Sequence, residues 1–184
     1  TVVIDAGHGG KDPGNRGNNY YEKKIVLNVA LKTGAILEKE KGVKVVYTRK
    51  SDKYVTLNGR ANVANKAKAD LFVSIHCDAH NSNAYGAGTF VLGLHRNQDN
   101  FRIAQKENAV IFLEDNYEKE YDGFDPNNPE SVISLVLMQE DYLNQSIEAA
   151  NYIQQSFVKN LQRKNRTVKQ AGFLVLSNTY MPSV

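Results

Sequence analysis

The sequence has very little cysteine and no long hydrophobic run. Cys77 is the only cysteine among 184 residues, which excludes an intrachain disulfide and a zinc site built from several cysteines. No apolar stretch approaches the roughly 20 residues that a membrane-spanning helix needs, and no signal-peptide pattern opens the sequence. We therefore expect no transmembrane segment, and we presume that any signal peptide has been removed.

The sequence also lacks a large excess of charge of either sign. The formal net charge is +3, and no aromatic residues interleave with basic ones in a nucleic-acid-binding motif, so we expect no nucleic-acid partner. A basic cluster near the end of the chain is predicted to be the solvated end of a helix. Its members are Lys159, Arg163, Lys164, Arg166 and Lys169.

Hydrophobic periodicity predicts strands that alternate with helices. The predicted strands cover residues 2–5, 43–48, 71–75, 88–94 and 173–176. The predicted helices cover residues 22–41, 56–68 and 103–113, and a long helix begins at residue 143. This alternation predicts an α/β fold, a single-domain layered sheet over residues 1–184 that is mostly parallel and flanked by helices. Residues 96–145 are long for a connection and are predicted to be a helical insertion.

A glycine-rich loop follows the first predicted strand, in the stretch "VVIDAGHGGKDPGNRG" at residues 2–17. Such loops often bind phosphate, but neither standard pattern fits. A P-loop ending at Gly10 and Lys11 would need a glycine where Asp5 stands, and a dinucleotide fingerprint starting at Gly7 would need one at Asp12. The glycines therefore indicate tight turns and close backbone approach instead of a phosphate site.

Three potential metal ligands lie where the carboxyl edge of a parallel sheet is expected. His8 follows the first strand, Glu22 opens the next helix, and His76 ends the strand in "LFVSIHCDAH". Two imidazoles and one carboxylate suit a catalytic Zn²⁺ site with an open fourth position. Asp78 is a fourth candidate, as a ligand or as a group that orients one.

Each of these residues also has a purely structural interpretation. His8 and His76 could be histidines satisfied by backbone groups, and Glu22 could simply stabilise a helix N-terminus. Cys77 is predicted to be a small buried residue, because strand alternation turns it away from His76. His80 and His95 are expected at the surface. The metal hypothesis depends on the convergence of several residues on one edge.

The same residues resemble the zinc-dependent N-acetylmuramoyl-L-alanine amidases of bacterial cell-wall remodelling. The matching motifs are "IDAGHGGKDPG", Glu22, "TR" at residues 48–49, "RANVAN" at 60–65, "SIHCDAH" at 74–80 and "FLVLSNTYMPSV" at the end. The resemblance implies zinc as cofactor, with ligands at His8, Glu22 and His76. It implies peptidoglycan as substrate, cleavage of the amide between N-acetylmuramic acid and L-alanine, and an α/β fold of about six strands.

The resemblance also implies an acid/base glutamate on a further strand after "PSV" at residues 182–184. No residue of this sequence matches it, so we expect the natural chain to continue past Val184. The alternative is a catalytically silent module that binds peptidoglycan or regulates its turnover.

Residues 96–145 resemble the insertion of the cell-division subgroup, in which a helical segment covers the zinc site until a partner draws it away. Glu107 and Glu114 are the candidates for an autoinhibitory contact, and the alternative is that both are solvent-facing charges. The resemblance implies a role in cell-wall remodelling or daughter-cell separation, in the periplasm or elsewhere in the cell envelope. It also implies an activator protein that acts on the insertion.

Overall fold

A computed structural model describes residues 1–78, 83–94, 98–137 and 139–184. The chain divides into two compact units. The first comprises Thr1–Ala79 with Thr179–Met181, and the second comprises His80–Asn178 with Pro182–Val184. In these described ranges, no helix combines the length and the apolar character that crossing a membrane requires.

The first unit is built around a three-stranded parallel sheet. Its elements are β1 Val2–Ala6, β2 Arg16–Gly17, β3 Tyr20–Tyr21, α1 Glu22–Leu37, β4 Val45–Tyr47, α2 Leu57–Lys66 and β5 Leu71–Ile75. The strand order is β4-β1-β5, and both outer strands run parallel to β1. β2 and β3 form a separate antiparallel hairpin. The carboxyl ends of β1 and β5 therefore meet at one edge of the sheet.

The core of this unit lies on both faces of β1. Ile4 packs with Val26 and Ala30 of α1, and Val3 on the opposite face is fully buried where α2 packs against β1. Burial of each large aliphatic side chain contributes roughly 1.5–3 kcal/mol. Because both faces are covered, β1 appears in the sequence as a continuous apolar run without alternation.

Both helices of the first unit are shorter than predicted. α1 ends at Leu37, and the chain continues in turns to Gly42, whose φ of 84° is in the left-handed region that favours glycine. α2 begins after Thr56, whose side chain accepts a hydrogen bond from the Gly59 N–H at 3.0 Å. This side-chain cap satisfies one of the N–H groups left open at a helix start.

The second unit contains a parallel strand pair and most of the helices. Its elements are β6 Ala87–Leu92, α3 Gln98–Asn108, α4 Tyr117–Glu120, α5 Val132–Leu137, α6 Leu143–Lys159, β7 Asn165–Ala171 and α7 Leu174–Ser177, with 3₁₀ turns at Ala109–Leu113, Pro129–Ser131 and Glu140–Tyr142. β6 pairs with β7, and α6 packs on both strands. Buried Gln154 of α6 accepts a hydrogen bond from Thr89 and donates one to the Ala87 carbonyl, which ties the helix to β6.

The predicted strand at residues 173–176 is wrong. That apolar segment is the short helix α7, whose four residues are all buried, and the strand lies earlier, at Asn165–Ala171. The basic cluster is likewise not all at a helix end, because α6 ends at Lys159 and both Arg166 and Lys169 belong to β7. β7 is half-buried and carries many polar residues, so its sequence lacks the apolar pattern of a strand. α7 is fully buried, so its sequence is as apolar as that of a core strand.

The remaining elements follow the sequence more closely. The helix predicted at residues 103–113 is α3 followed by a 3₁₀ turn, and the long helix predicted from residue 143 is α6. Among the described strand pairs, three of four are parallel, and helices flank them. The predicted α/β class with mostly parallel strands is confirmed. The extent of the domain and the regulatory nature of residues 96–145 stay predictions.

Candidate metal centre

The carboxyl edge of the first unit's sheet brings two histidines together. His8 lies two residues past β1, and His76 follows β5 directly. Their ring centroids are 4.7 Å apart in an edge-to-face arrangement, and one nitrogen of each ring lies within 4.8 Å of one nitrogen of the other. Parallel pairing of β1 with β5 places both strand ends at the same level, from Val2 opposite Leu71 to Ala6 opposite Ile75. The shared edge predicted from the sequence is therefore present.

Glu22 points its carboxylate at both rings. Its Oε1 atom lies 3.2 Å from Nε2 of His8 and 3.4 Å from Nδ1 of His76. The same oxygen accepts a hydrogen bond from the Cys77 N–H at 2.6 Å, and Oε2 accepts one from the Asn15 N–H at 2.9 Å. Glu22 is the first residue of α1, but two backbone donors and two imidazoles fix its side chain toward the histidines.

The charge on Glu22 is stabilised by these neighbours. Burial alone would raise its pKa, but hydrogen bonds from His76 and His8 and their positive charge outweigh burial and hold the pKa well below its usual range. The carboxylate is therefore ionised at neutral pH. An ionised carboxylate beside two imidazole nitrogens is a set of donors that a divalent cation prefers.

Asp12 fixes the ring of His8 from the other side. Its Oδ2 atom lies 2.7 Å from Nδ1 of His8, and its Oδ1 atom accepts a hydrogen bond from the Gly14 N–H at 3.0 Å. Burial acts to raise the pKa of Asp12, but the hydrogen bond and charge of His8 lower it overall. An ionised carboxylate can only accept, so Nδ1 carries a hydrogen, and Nε2, which faces Glu22, is the nitrogen left to bind a metal ion.

Two buried arginines hold the backbone that leads to His8. Arg60 donates to the carbonyl oxygens of Ala6 at 2.7 Å and of His8 at 2.8 Å. Arg49 donates to the carbonyls of Ala6 at 2.9 Å and of Gly7 at 2.7 Å. His8 itself has a φ of 60°, a left-handed conformation that is strained for a residue with a side chain and persists only where the surroundings hold it.

Two glycines leave the space that the site occupies. A Cβ atom on Gly7 would lie 2.4 Å from Nε2 of His76. A Cβ atom on Gly14 would lie 2.6 Å from Cδ2 of His8 and 2.9 Å from Oε2 of Glu22. Any larger residue at either position would displace a donor, so the glycine-rich loop is shaped around these side chains.

The site residues fit Zn²⁺ on the chemistry of their donors. Two imidazoles and one ionised carboxylate converge, and an aspartate hydrogen-bonded to the far nitrogen of one imidazole is the usual support for a zinc-bound histidine. His8 and Glu22 are buried, whereas the side chain of His76 is 27% exposed, which gives solvent access to the cluster. The ligand assignment itself stays a prediction.

The other residues considered for the site are Asp78, Cys77, His80 and His95. Asp78 is exposed two residues past His76, and its ligand role stays a prediction. Cys77 packs partly buried against the β1–α1 core, and burial, with the negative charges of Glu22 and Asp78, raises the pKa of its thiol to about 11. A thiol of this kind stays protonated at neutral pH, as expected for a packing residue. His80 and His95 lie outside the described residues.

The two glutamates of the proposed insertion lie in the second unit. Glu107 is on α3, and Glu114 follows the 3₁₀ turn that ends at Leu113. Buried Glu114 accepts a hydrogen bond from the Tyr121 hydroxyl at 2.7 Å, so it is not the solvent-facing charge of the alternative interpretation. The autoinhibitory role of either residue stays a prediction.

Sequence reasoning missed Asp12, Arg49 and Arg60 as parts of this site. The signal for Asp12 was a carboxylate four residues after a loop histidine, and the signal for the arginines was their place in "TR" and "RANVAN". The motifs do not reveal which backbone carbonyls the arginines reach, because those contacts depend on tertiary packing.

Comparison with known proteins gives one consistent result. The family model described as N-acetylmuramoyl-L-alanine amidase (Amidase_3) matches residues 2–184. The chain is 33% identical, over its whole length, to the N-acetylmuramoyl-L-alanine amidase AmiA of Salmonella typhimurium, of which it covers 63%. Its fold is similar to the crystal structure of an N-acetylmuramoyl-L-alanine amidase from Clostridium difficile 630, with a TM-score of 0.69, 28% identity, and coverage of 99% of this chain and 75% of that one. The chain thus spans less than two thirds of the AmiA relative.

Proposed function

Since the chain belongs to the N-acetylmuramoyl-L-alanine amidase family, we propose that it is a zinc hydrolase of peptidoglycan. The bond cleaved is the amide between the lactyl group of N-acetylmuramic acid and the L-alanine of the stem peptide. The observation that carries this proposal is the convergence of His8, Glu22 and His76 at one sheet edge, with Glu22 Oε1 within 3.4 Å of both imidazoles.

The roles of the chain's own residues follow from their contacts. When bound, zinc supplies a Lewis acid that polarises the amide carbonyl and activates water. Asp12 keeps the hydrogen on Nδ1 of His8, so that Nε2 is available as a donor atom, and Glu22 supplies the negative charge. Arg60 and Arg49 hold the loop backbone in place, so the donor atoms need little rearrangement to bind the ion.

Proton transfer to the leaving amine needs a further group. Amides are poor electrophiles with poor leaving groups, so a positioned general acid must protonate the departing nitrogen. None of the described residues at the site is assigned the role.

Product analysis tests the proposed reaction. Purified sacculi incubated with the zinc-loaded full-length protein should release intact stem peptides with L-alanine at the free amino end. Free D-alanine would indicate a carboxypeptidase, and acetate would indicate a deacetylase. Retention on sacculi without any release would favour the silent binding module. A matched His76→Ala variant should release nothing while keeping its fold, as followed by circular dichroism.

We also propose that residues 96–145 regulate this activity in the cell envelope, during daughter-cell separation. The support is the position of Glu107 and Glu114 within this segment and the buried hydrogen bond that Tyr121 makes with Glu114. In this proposal an activator protein acts on the segment. Replacing residues 96–145 with a short linker should raise the rate of stem-peptide release from sacculi several-fold, and an unchanged rate in a folded variant would contradict regulation.

A further inference from the structure

A short hairpin joins the glycine-rich loop to Glu22. β2 pairs with β3 in the register Arg16 opposite Tyr21 and Gly17 opposite Tyr20. The turn residues Asn18 and Asn19 have φ values of 47° and 64°, the positive values that a tight two-residue hairpin turn requires. The hairpin ends at Glu22, whose N–H donates to the Asn15 carbonyl at 2.9 Å and closes its base. A ligand on this hairpin therefore lies beside the metal-site carboxylate.

The two tyrosines of the hairpin have different surroundings. Successive residues of a strand point to opposite faces. The Tyr21 ring has the Arg16 guanidinium 5.5 Å and the Lys24 ammonium 5.7 Å from its centroid, so cations of the protein cover it. Tyr20 is 67% exposed, and within the described part of the chain no cation or ring packs on it. Tyr20 is thus an exposed aromatic surface next to the site.

Gly17 keeps the space beside Tyr20 open. Its φ is not in the left-handed region, so the backbone does not require glycine there. A Cβ atom at this position would meet no heavy atom within 4 Å. Glycine within a strand weakens the strand and often marks close approach of a ligand. The bare position directly opposite an exposed tyrosine has room for a flat group.

We propose that the face formed by Tyr20 and Gly17 is a subsite that stacks a sugar ring of the peptidoglycan glycan strand. The inference rests on the proposed function, which supplies a substrate whose sugar ring is joined to the scissile amide through its lactyl group. A pyranose has one apolar C–H face that fits the flat surface of an aromatic ring, while its hydroxyl groups stay in water. The cations lie on the Tyr21 face, so the Tyr20 face does not recognise carboxylates of the stem peptide.

Binding of peptide-free glycan strands to the zinc-loaded chain tests this subsite by calorimetry. Tyr20→Ala should weaken binding roughly five- to tenfold, as expected for loss of one aromatic contact, and Tyr20→Phe should restore it. Gly17→Val should weaken binding to a similar extent, because it fills the open space without touching the fold. Tyr180→Ala is the matched control. Tyr180 is 64% exposed, and its N–H binds Asn65 in the last turn of α2, near the amino edge of the sheet.

Several results would overturn the proposal. One is equal glycan affinity for wild type, Tyr20→Ala and Gly17→Val. Another is that the two variants lose affinity for free stem peptide but keep their affinity for glycan. Thermal unfolding and zinc content of each variant establish that its fold and metal site are intact. Binding is measured without hydrolysis, so an inert wild type would contradict the proposed function alone. A chain that releases stem peptides, but whose glycan affinity is unchanged by Tyr20→Ala, would contradict the subsite alone.

Discussion

The position of His8 is fixed at two points. Asp12 binds its ring at Nδ1, and Arg60 binds its carbonyl oxygen, which together hold a histidine in a left-handed conformation. Strain of this kind costs of order 1–3 kcal/mol and is usual at functional sites. Three successive carbonyls, from Ala6 to His8, are engaged by buried guanidinium groups. His8 is therefore preorganised before any ligand arrives.

Removing the support of the His8 ring should weaken metal binding. Asp12→Ala is expected to raise the zinc dissociation constant about 10–100-fold, because the ring loses the hydrogen bond that fixes its orientation and tautomer. Asp12→Asn, which keeps an acceptor without the charge, should lie between wild type and Asp12→Ala. Competition with a chromophoric chelator measures the constant. Asp70→Ala, which removes an exposed aspartate just before β5, should leave zinc affinity unchanged. Wild-type affinity in Asp12→Ala would contradict the assigned role.

The convergence of the three proposed metal ligands was predictable from sequence because each stands at an element boundary. His8, Glu22 and His76 follow or open regular elements, and the geometry of parallel strands places those boundaries together. Asp12 was not predictable, because it lies inside a loop whose path depends on Arg49 and Arg60. A loop conformation set by long-range hydrogen bonds has no periodicity to detect.

β1 carries a buried ion pair that links the elements of the first unit. Asp5 is fully buried and binds Arg60 of α2 at 2.7 Å, the Thr48 hydroxyl at 2.6 Å and the Ser74 hydroxyl of β5 at 2.7 Å. One carboxylate thereby joins the central strand to a helix, to β5 and to the end of β4. Removal of one partner of a buried pair costs about 3–5 kcal/mol, because the other charge is left uncompensated.

This pair should make stability depend on acid pH. Burial raises the pKa of Asp5, but the charge of Arg60 and the hydroxyl donors lower it overall. The stabilisation is therefore complete above the unfolded value of about 3.9 and is lost as the pH falls through the lower folded pKa. In urea unfolding from pH 7 to pH 3, Asp5→Asn should be less stable at pH 7 and lose less stability on acidification. If the free energy of unfolding fell with pH by the same amount in wild type and in Asp5→Asn, this interpretation would be contradicted.

The strands of the second unit show what limits prediction of elements. β7 was missed because its sequence, "NRTVKQA", has only one strongly apolar side chain, and it is stabilised by pairing with β6 and packing of α6. The segment "FLVL" at residues 173–176 is predicted as a strand, but helix α7 begins within it, where buried Asn108 accepts a hydrogen bond from the Leu174 N–H. Tertiary contacts decided both cases against local preference.

The chain as a whole combines a conventional sheet with a preorganised edge. The α/β class was predictable, because alternating apolar segments and helix boundaries are local properties of the sequence. The way Arg49 and Arg60 hold the loop that carries Asp12 and His8 was not, because residues distant in sequence create those contacts. The central claim is that this edge holds one zinc ion through His8, Glu22 and His76.

Zinc affinity, measured by chelator competition on the purified chain, tests that claim most directly. Wild type should bind one zinc per chain. His8→Ala, Glu22→Gln and His76→Ala should each weaken binding by at least about tenfold, because each removes one of three donors. A folded wild type without zinc affinity, or three variants that bind zinc as tightly as wild type, would contradict the claim.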